Sequence, residues 1–249
     1  MRRKSLALSL CLILFIVLLT GCVPSPDQMK PIDPEKAGFW DRYFVLPLSM
    51  IMDKTEEVLG SYGLAILVVT IMVRLLVLPL TIKQMRSSKA MQKLQPEMTK
   101  LREKYKNNQQ KLQEETMKLF QKHNVNPMAG CFPILIQLPI LIAFYQSIMR
   151  NPHIFQADFL WLQLGQADPY YILPVLAAAT TYLQSILTGM GDNPQTRAFL
   201  FIMPIMIFVL AFSFPSALAL YWVYSNLFSM VQSFFLNDKF KKKREGATS

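Results

Sequence analysis

Five apolar stretches dominate the chain after its first sixty residues and constrain its fold more than any other feature. They cover residues 62–82, 130–149, 170–188, 198–212 and 215–236. Most approach the ~17 to 25 residues that an α-helix needs to cross the hydrocarbon core of a bilayer. The last two are nearly continuous, and we divide them at residues 213–216 because one helix of that length would exceed the ~30 Å core. The sequence therefore predicts an all-α integral membrane protein with five transmembrane helices.

The composition agrees with this class. Hydrophobic residues make up 52% of the 249 residues and charged residues 17%, whereas charged residues form about a quarter of ordinary soluble domains. The net charge of +10 comes from 26 basic and 16 acidic side chains. Such a surplus fits nucleic acid, an anionic membrane surface or topology signals, and the positions of the charges decide between them.

The basic residues are concentrated between the first two apolar stretches. Residues 83–129 hold eleven lysines and arginines and four glutamates. Because cytoplasmic loops carry such an excess, we expect this loop in the cytoplasm. Five crossings from an outside N-terminus then give an outer loop at 150–169, a short cytoplasmic loop at 189–197 and a cytoplasmic tail at 237–249. The tail agrees, since it holds four lysines and one arginine.

The cytoplasmic loop has the spacing of two helices. Apolar positions recur every three or four residues in two runs, Met91, Leu94, Met98, Leu101 and Tyr105, then Leu112, Thr116, Leu119 and His123. A polar break at 107–110 separates them. We therefore expect a cytoplasmic helical hairpin between spans one and two whose arms pair, and Pro96 should kink or restart the first arm.

The N-terminus has the pattern of a secretory signal. A basic start at residues 2–4 precedes an apolar run over 6–19, and Leu-Thr-Gly-Cys at 19–22 matches a bacterial lipobox. This predicts a lipoprotein signal peptide at 1–21 and lipidation of Cys22. An ordinary signal peptide and an uncleaved first span are the alternatives. With Cys11 removed and Cys22 lipidated, Cys131 is the remaining thiol, so we expect no disulfide and no metal site.

The extracytoplasmic segment 22–61 begins polar and becomes amphipathic. Its second half repeats larger side chains at helical spacing, at Trp40, Phe44, Leu48, Ile51, Thr55 and Leu59. We predict a helix that lies in the outer membrane interface. A soluble linker helix is the alternative.

One charged residue lies inside a predicted span. Arg74 is surrounded by apolar residues in the first stretch, and no predicted span contains a carboxylate to neutralise it. A charge in the hydrocarbon region is costly, so it normally faces the protein interior or water. Counted from Ile82 along a straight helix, Arg74 lies about 12 Å from the cytoplasmic end. The alternative is that the side chain extends to the cytoplasmic headgroups.

Polar side chains occur at a similar depth on other spans. By residue count they are Gln137 on span two, Gln184 on span three and Asn226 on span five, and Thr70 lies one turn from Arg74 on the same face. Together they predict a hydrated groove that is open to the cytoplasm. Each amide has an equally good alternative, because amides often connect spanning helices by hydrogen bonds.

Four groups of residues carry a resemblance to a known family. They are Val73-Arg74-Leu75 with Pro79-Leu80-Thr81, Asn126-Pro127, Gly130-Cys131-Phe132-Pro133 with Gln137-Leu138-Pro139, and Ala219-Leu220-Tyr221-Trp222-Val223-Tyr224-Ser225-Asn226. Over residues 40–240 the chain resembles the YidC-type membrane protein insertases, relatives of the mitochondrial oxidase-assembly proteins and the chloroplast thylakoid insertase. The lipobox resembles the Gram-positive branch, including its sporulation-associated members.

The resemblance implies a five-helix core around a positively charged hydrophilic groove. It implies insertion of small or weakly hydrophobic membrane proteins without an energy source, alone or with the Sec translocon. It identifies Arg74 as the groove arginine and Gln184 and Trp222 as groove residues, although Trp222 also fits an interfacial anchor. No cofactor and no covalent chemistry are expected.

Expected partners follow from charge and resemblance together. They are nascent membrane proteins, membrane lipids and the Sec translocon, with the ribosome or targeting machinery at the hairpin and the basic tail. Ribosomal RNA is a dense anionic surface that basic segments bind. The alternative is that these charges only fix the topology. No DNA partner is expected.

Two other functional classes fit the sequence less well. Proton-coupled carriers need carboxylates or histidines within the membrane, whereas His123 and His153 lie in predicted loops. An intramembrane protease needs a base to activate its nucleophile, and the chain has neither a His-Glu-x-x-His nor a Gly-x-Ser-x-Gly motif. A non-inserting assembly chaperone stays open.

Overall fold

The computed structural model describes residues 30–123, 125, 132–192 and 197–236. The predicted signal peptide, the lipidation site Cys22 and the basic tail lie outside these residues. A short π-helix, Asp41–Val45, precedes ten α-helices in the described part of the chain. They are α1 (Leu46–Leu59), α2 (Tyr62–Leu76), α3 (Leu78–Lys93), α4 (Gln95–Lys104), α5 (Gln109–Lys122), α6 (Phe132–Arg150), α7 (Pro152–Gln156), α8 (Ile172–Leu187), α9 (Phe199–Ser213) and α10 (Ser216–Leu236).

The N-terminal helix α1 packs on α2 and α6, and Leu48 and Ile51 of the predicted stripe lie against the core. Its buried side chains include Ser49 and Met52, whereas Phe44 and Leu59 of the predicted stripe are exposed. The prediction assumed one regular α-helix from Trp40. The π-helix before α1 has more residues per turn, so it rotates the buried face.

The first apolar stretch is broken rather than straight. Helix α2 ends before Val77, and α3 leaves it at an angle of 62°. Pro79 explains the break, because proline has no N–H to donate and its ring clashes with the carbonyl four residues earlier, at Leu75. The predicted first stretch at 62–82 thus consists of α2 and the start of α3, joined by a bend. The predicted depth of Arg74 below Ile82 fails, since that count assumed a straight helix.

Among the described residues, no single helix has both the length and the mean hydropathy that a membrane span requires. The bent pair α2 and α3, taken together, has both. Helices α8 and α9 are apolar but shorter.

Helix α10 lies at the centre of the bundle. Its residues from Ser216 to Val223 are all buried, which is the pattern of a helix surrounded on every side. It packs against α2, α6, α8 and α9. Phe214 has extended backbone between α9 and α10, so the chain separates these helices at the predicted residues 213–216.

The segment predicted as a helical hairpin forms two further helices that pack on each other. Leu94, Met98, Leu119 and Phe120 form a buried cluster between α4 and α5. Helix α4 starts just after Leu94, with Pro96 in its first turn, where proline is tolerated.

Helix α3 connects this hairpin to the bundle. The ammonium of Lys89 donates to the carbonyl of Leu236 at 2.9 Å. The amide of Gln92 donates to the carbonyls of Thr188 at 3.3 Å and Gly189 at 3.2 Å. The carbonyls of Thr188 and Gly189 lie at the C-terminal end of α8, where backbone acceptors lack intrahelical partners.

The loop between α7 and α8 closes the other end of the bundle. It contains a two-stranded antiparallel sheet, β1 (Asp158–Phe159) and β2 (Leu162–Gln163). The buried carboxylate of Asp168 accepts hydrogen bonds from the Trp161 indole at 3.1 Å and from the backbone N–H of Leu173 at 2.6 Å. The first N–H of α10, at Ser216, donates to the carbonyl of Gln166. The loop thus caps the starts of α8 and α10.

Candidate functional site

A cavity of about 60 Å³ lies between α2, α3, α6 and α10. A buried water molecule needs roughly 10 to 15 Å³ of such volume, so the cavity has room for several. Its lining is formed by Thr70, Val73, Arg74, Val77, Thr81, Gln84, Ile136, Gln137, Ile140 and Tyr221.

Arg74 supplies the charge of this cavity. It is partly buried in the last turn of α2, just before the break at Val77. Within the described ranges, its guanidinium makes no ion pair and no hydrogen bond, and the lining contains no aspartate or glutamate. Arginine has five N–H donors in a planar group that matches a carboxylate. The cavity therefore holds a cation whose donors are available to water or a ligand.

The two threonines of the lining use their protons within their own helices. Thr70 donates to the carbonyl of Ile66 at 2.6 Å, and Thr81 donates to the carbonyl of Val77 at 2.8 Å. Such bonds are typical of threonine inside helices. Their oxygens remain acceptors, but neither hydroxyl has a proton left for a ligand.

Tyr221 connects two walls of the cavity. Its hydroxyl accepts a hydrogen bond from the amide nitrogen of Gln137 at 2.6 Å. Its ring stacks on Phe144, with the ring centroids 4.4 Å apart. Because the oxygen acts as the acceptor in this contact, the hydroxyl proton is available to the cavity.

Gln84 contributes the last polar side chain. It lies on α3 and is 9% exposed. Its amide nitrogen is inaccessible to water and has no hydrogen-bond partner in the described part of the chain. An unmade hydrogen bond at a buried donor costs ~1 to 3 kcal/mol, so this group is unusual in a folded interior.

The polar groups of the cavity favour an anion. The guanidinium of Arg74 and the hydroxyl proton of Tyr221 are donors, and the described residues of the lining offer no negative charge against them. Apolar side chains such as Val73 and Ile140 lower the local dielectric constant, so attraction between charges is stronger than in water.

Three of the sequence-predicted groove residues line this cavity, and three do not. Arg74, Thr70 and Gln137 are in the lining. Gln184, Trp222 and Asn226 lie elsewhere.

The amide of Asn226 connects α10 to α8. It donates to the hydroxyls of Thr180 at 3.1 Å and Thr181 at 2.8 Å. This is the helix-connecting alternative that the sequence left open.

The other two residues outside the lining have different environments. Trp222 is buried, and its ring centroid lies 6.4 Å from that of Phe214 in a stacked arrangement. Gln184 is partly buried on α8.

Comparisons with known proteins agree on one family. The family model described as 60Kd inner membrane protein matches residues 54–243. Membrane protein insertase MisCA of Bacillus subtilis (strain 168) is 52% identical over 97% of this chain and 94% of its own length. Membrane protein insertase YidC 2 of Bacillus anthracis is 48% identical over 99% of both chains.

The chain belongs to the YidC family of membrane protein insertases. A solved YidC structure shows that the likeness to the family also holds for the fold. That structure, titled "Active YidC insertase crystal structure with the first transmembrane domain resolved", aligns with a TM-score of 0.67 and 27% identity. The alignment covers 81% of this chain and 48% of the solved YidC chain, so this chain spans about half of its length. Membership in the YidC family places the chain in the cell membrane.

Three polar lining residues of this YidC-family chain were not singled out as site residues from the sequence. Tyr221 belongs to the motif that carries the YidC resemblance, and that motif was the signal that pointed to it. Thr81 likewise belongs to one of the motifs of the resemblance, Pro79-Leu80-Thr81, whereas Gln84 gave no comparable signal. Gln84 lies in the stretch predicted as a cytoplasmic hairpin, and only the bend at Val77 brings α3 to the cavity.

Proposed function

We propose that the chain inserts small or weakly hydrophobic proteins into the cell membrane through the cavity around Arg74, alone or beside the Sec translocon. It acts as an insertase and folding chaperone without covalent chemistry. The observation that supports this is the guanidinium of Arg74, which lines a cavity without carboxylates and has no pairing partner among the residues the structure describes.

The substrate supplies the missing anion. An incoming segment with an aspartate or glutamate in its short outer tail enters from the cytoplasm, and Arg74 attracts the carboxylate. The main barrier is the removal of water from this tail, since an isolated charge in hydrocarbon is costly. Water and donors in the cavity lower that barrier. The apolar part of the segment then moves between the helices into lipid.

The test compares two substrates that have nearly the same shape but differ in the charge of one side chain. A small membrane protein with an aspartate in its outer tail is matched with its Asp-to-Asn form, and insertion of both is measured into vesicles that contain the wild-type chain or Arg74→Ala. Losing one partner of a buried charge pair costs at least ~2 kcal/mol, so Arg74→Ala should reduce insertion of the acidic substrate about 30-fold. Arg74→Lys, which keeps the charge, should retain part of the activity. Insertion of the acidic substrate at the wild-type level by Arg74→Ala would refute the proposal.

We further propose the predicted topology. The chain crosses the membrane five times, with Cys22 lipidated outside and residues 237–249 in the cytoplasm. The distribution of basic residues supports this orientation. Labelling with radioactive palmitate, lost on Cys22→Ala, tests the anchor, and the accessibility of a cysteine placed in the tail tests the orientation.

The helical hairpin and the tail are proposed to bind the ribosome or targeting machinery. Lys93, Lys100 and Lys106 are exposed on or near the hairpin. Lys118 differs, because it pairs with Glu114 at 2.8 Å and with Glu115 at 2.9 Å. The hydrogen bond from Lys118 lowers the pKa of Glu114 below its usual value, so this part of the surface is neutralised locally.

This difference supplies a matched control. Replacing Lys93, Lys100 and Lys106 with glutamine should weaken ribosome binding and reduce its dependence on salt, because fewer counterions are released. Lys118→Gln should have a smaller effect than the single variant Lys100→Gln, because Lys118 is already paired with Glu114 and Glu115. Equal binding by the triple variant and the wild type in a salt titration would show that these charges only fix the topology.

A further inference from the structure

Gln84 has no role in the mechanism above, although it lines the same cavity as Arg74. Its side chain is almost fully buried, and no described residue accepts a hydrogen bond from its amide nitrogen. Folding does not normally leave such a donor unused. The side chain therefore has hydrogen-bonding capacity that the described protein does not satisfy.

The bend between α2 and α3 brings Gln84 to this position. Along a straight helix, ten residues would separate Gln84 from Arg74 by about 15 Å. The chain instead turns by 62° at Val77, and side chains from both helices line one cavity. Thr81, one turn before Gln84 on α3, is also in the lining. The cavity thus faces an arginine from α2 and an amide from α3.

A carboxylate satisfies both groups at once. Each of its two oxygens accepts more than one hydrogen bond, so a guanidinium on one side leaves acceptor sites free. The nitrogen and oxygen of a glutamine side chain are nearly the same size, and a half-turn of the carboxamide presents the NH₂ group to the cavity. A hydrogen bond from an amide to an ionised group is about twice as strong as one to a neutral group.

We propose that Gln84 is a specificity-determining residue, whose amide donates a second hydrogen bond to the substrate carboxylate that Arg74 attracts. This inference rests on the proposed function of the cavity. Gln84 favours an ionised tail over a neutral tail of the same shape, because the neutral tail forms the weaker hydrogen bond.

The experiment measures the insertion ratio of the Asp-tail to the Asn-tail substrate in vesicles. Gln84→Met keeps the length of the side chain but removes both donors, and Gln84→Lys keeps donors. The control is Gln232→Met on α10, since Gln232 lies outside the lining and its amide nitrogen is 3.9 Å from the sulfur of Met85. Gln84→Met should lower the ratio about tenfold, the scale of one hydrogen bond to a charged group. Gln232→Met should keep it, and Gln84→Lys, which also adds a positive charge, should keep or raise it.

Two results would overturn the proposal. One is that Gln84→Met keeps the wild-type insertion ratio of the Asp-tail to the Asn-tail substrate. The other is that Gln84→Lys lowers this ratio as much as Gln84→Met does, which would show that packing matters rather than the donor. If Gln84→Met does not fold, Gln84→Glu tests the proposal instead. The carboxylate of Gln84→Glu repels the acidic tail and should reduce insertion of the Asp-tail substrate at least tenfold. Unchanged insertion of that substrate would contradict the proposal. If Arg74→Ala lowers the insertion ratio of the Asp-tail to the Asn-tail substrate but Gln84→Met does not, only the role of Gln84 is refuted. If Arg74→Ala leaves this ratio unchanged, the proposed function itself is refuted.

Discussion

The amide nitrogen of Gln137 on α6 donates a 2.6 Å hydrogen bond to the hydroxyl of Tyr221 on α10. This contact joins two walls of the cavity around Arg74, and the ring of Tyr221 is held independently by its stacking on Phe144. The hydrogen bond and the ring contact can therefore be separated by mutation.

Tyr221→Phe should remove the hydrogen bond and leave the stacking. We expect it to lower the free energy of unfolding by about 1 to 2 kcal/mol, since the amide of Gln137 loses its partner. Tyr221→Ala also removes the buried ring, and such substitutions cost about 3 to 5 kcal/mol. Thermal unfolding in detergent measures both. Equal stability of the two variants would contradict the conclusion that the hydrogen bond and the ring stacking stabilise the fold separately.

Asn226 should behave as a connection between α8 and α10. Its amide contacts the hydroxyls of Thr180 and Thr181. In a double-mutant cycle, Asn226→Ala and Thr181→Ala should show a coupling energy of about 0.6 to 1.7 kcal/mol, the range found for hydrogen bonds between membrane helices. Unfolding in detergent measures the four members of the cycle. A coupling energy of zero would show that the contact does not stabilise the bundle.

Gly63 lies where the loop between α7 and α8 meets α2. A Cβ atom at this position would overlap the ring of Phe159 in β1. Gly63→Ala should therefore destabilise the fold by about 1 to 3 kcal/mol, as overpacked cores do. Gly38→Ala is the control, because nothing lies within 4 Å of a Cβ there. Adding Phe159→Leu should restore part of the loss, and failure to do so would contradict this packing.

The sequence predicts much of the fold because most helices have clear boundaries. Apolar length indicates the helices later seen as α6, α8, α9 and α10, and the spacing of Leu94 and Met98 indicates the hairpin. Arg74 is conspicuous because a charge among apolar residues needs an explanation. Gln137 is found by counting depth along the helices and Thr70 by its position one helical turn from Arg74, and both line the cavity with Arg74.

Depth alone does not determine which faces of helices meet. Asn226 and Gln184 have suitable depth by residue count, yet neither is in the lining. Gln84 is missed for a different reason. Proline indicates a bend near Val77, but the direction in which α3 then leaves is set by packing against the ends of α8 and α10, through Gln92 and Lys89. Such long-range contacts have no local signature in the sequence.

The central claim is that Arg74 recognises a negative charge in the incoming segment. Exchange of the two charges tests it most directly. Insertion into vesicles is measured for substrates with aspartate or lysine in the outer tail, with the wild-type chain and with Arg74→Glu. We predict that Arg74→Glu loses the aspartate substrate and gains the lysine substrate, since like charges repel and opposite charges attract. Efficient insertion of the aspartate substrate by Arg74→Glu, with no gain for the lysine substrate, would contradict the account.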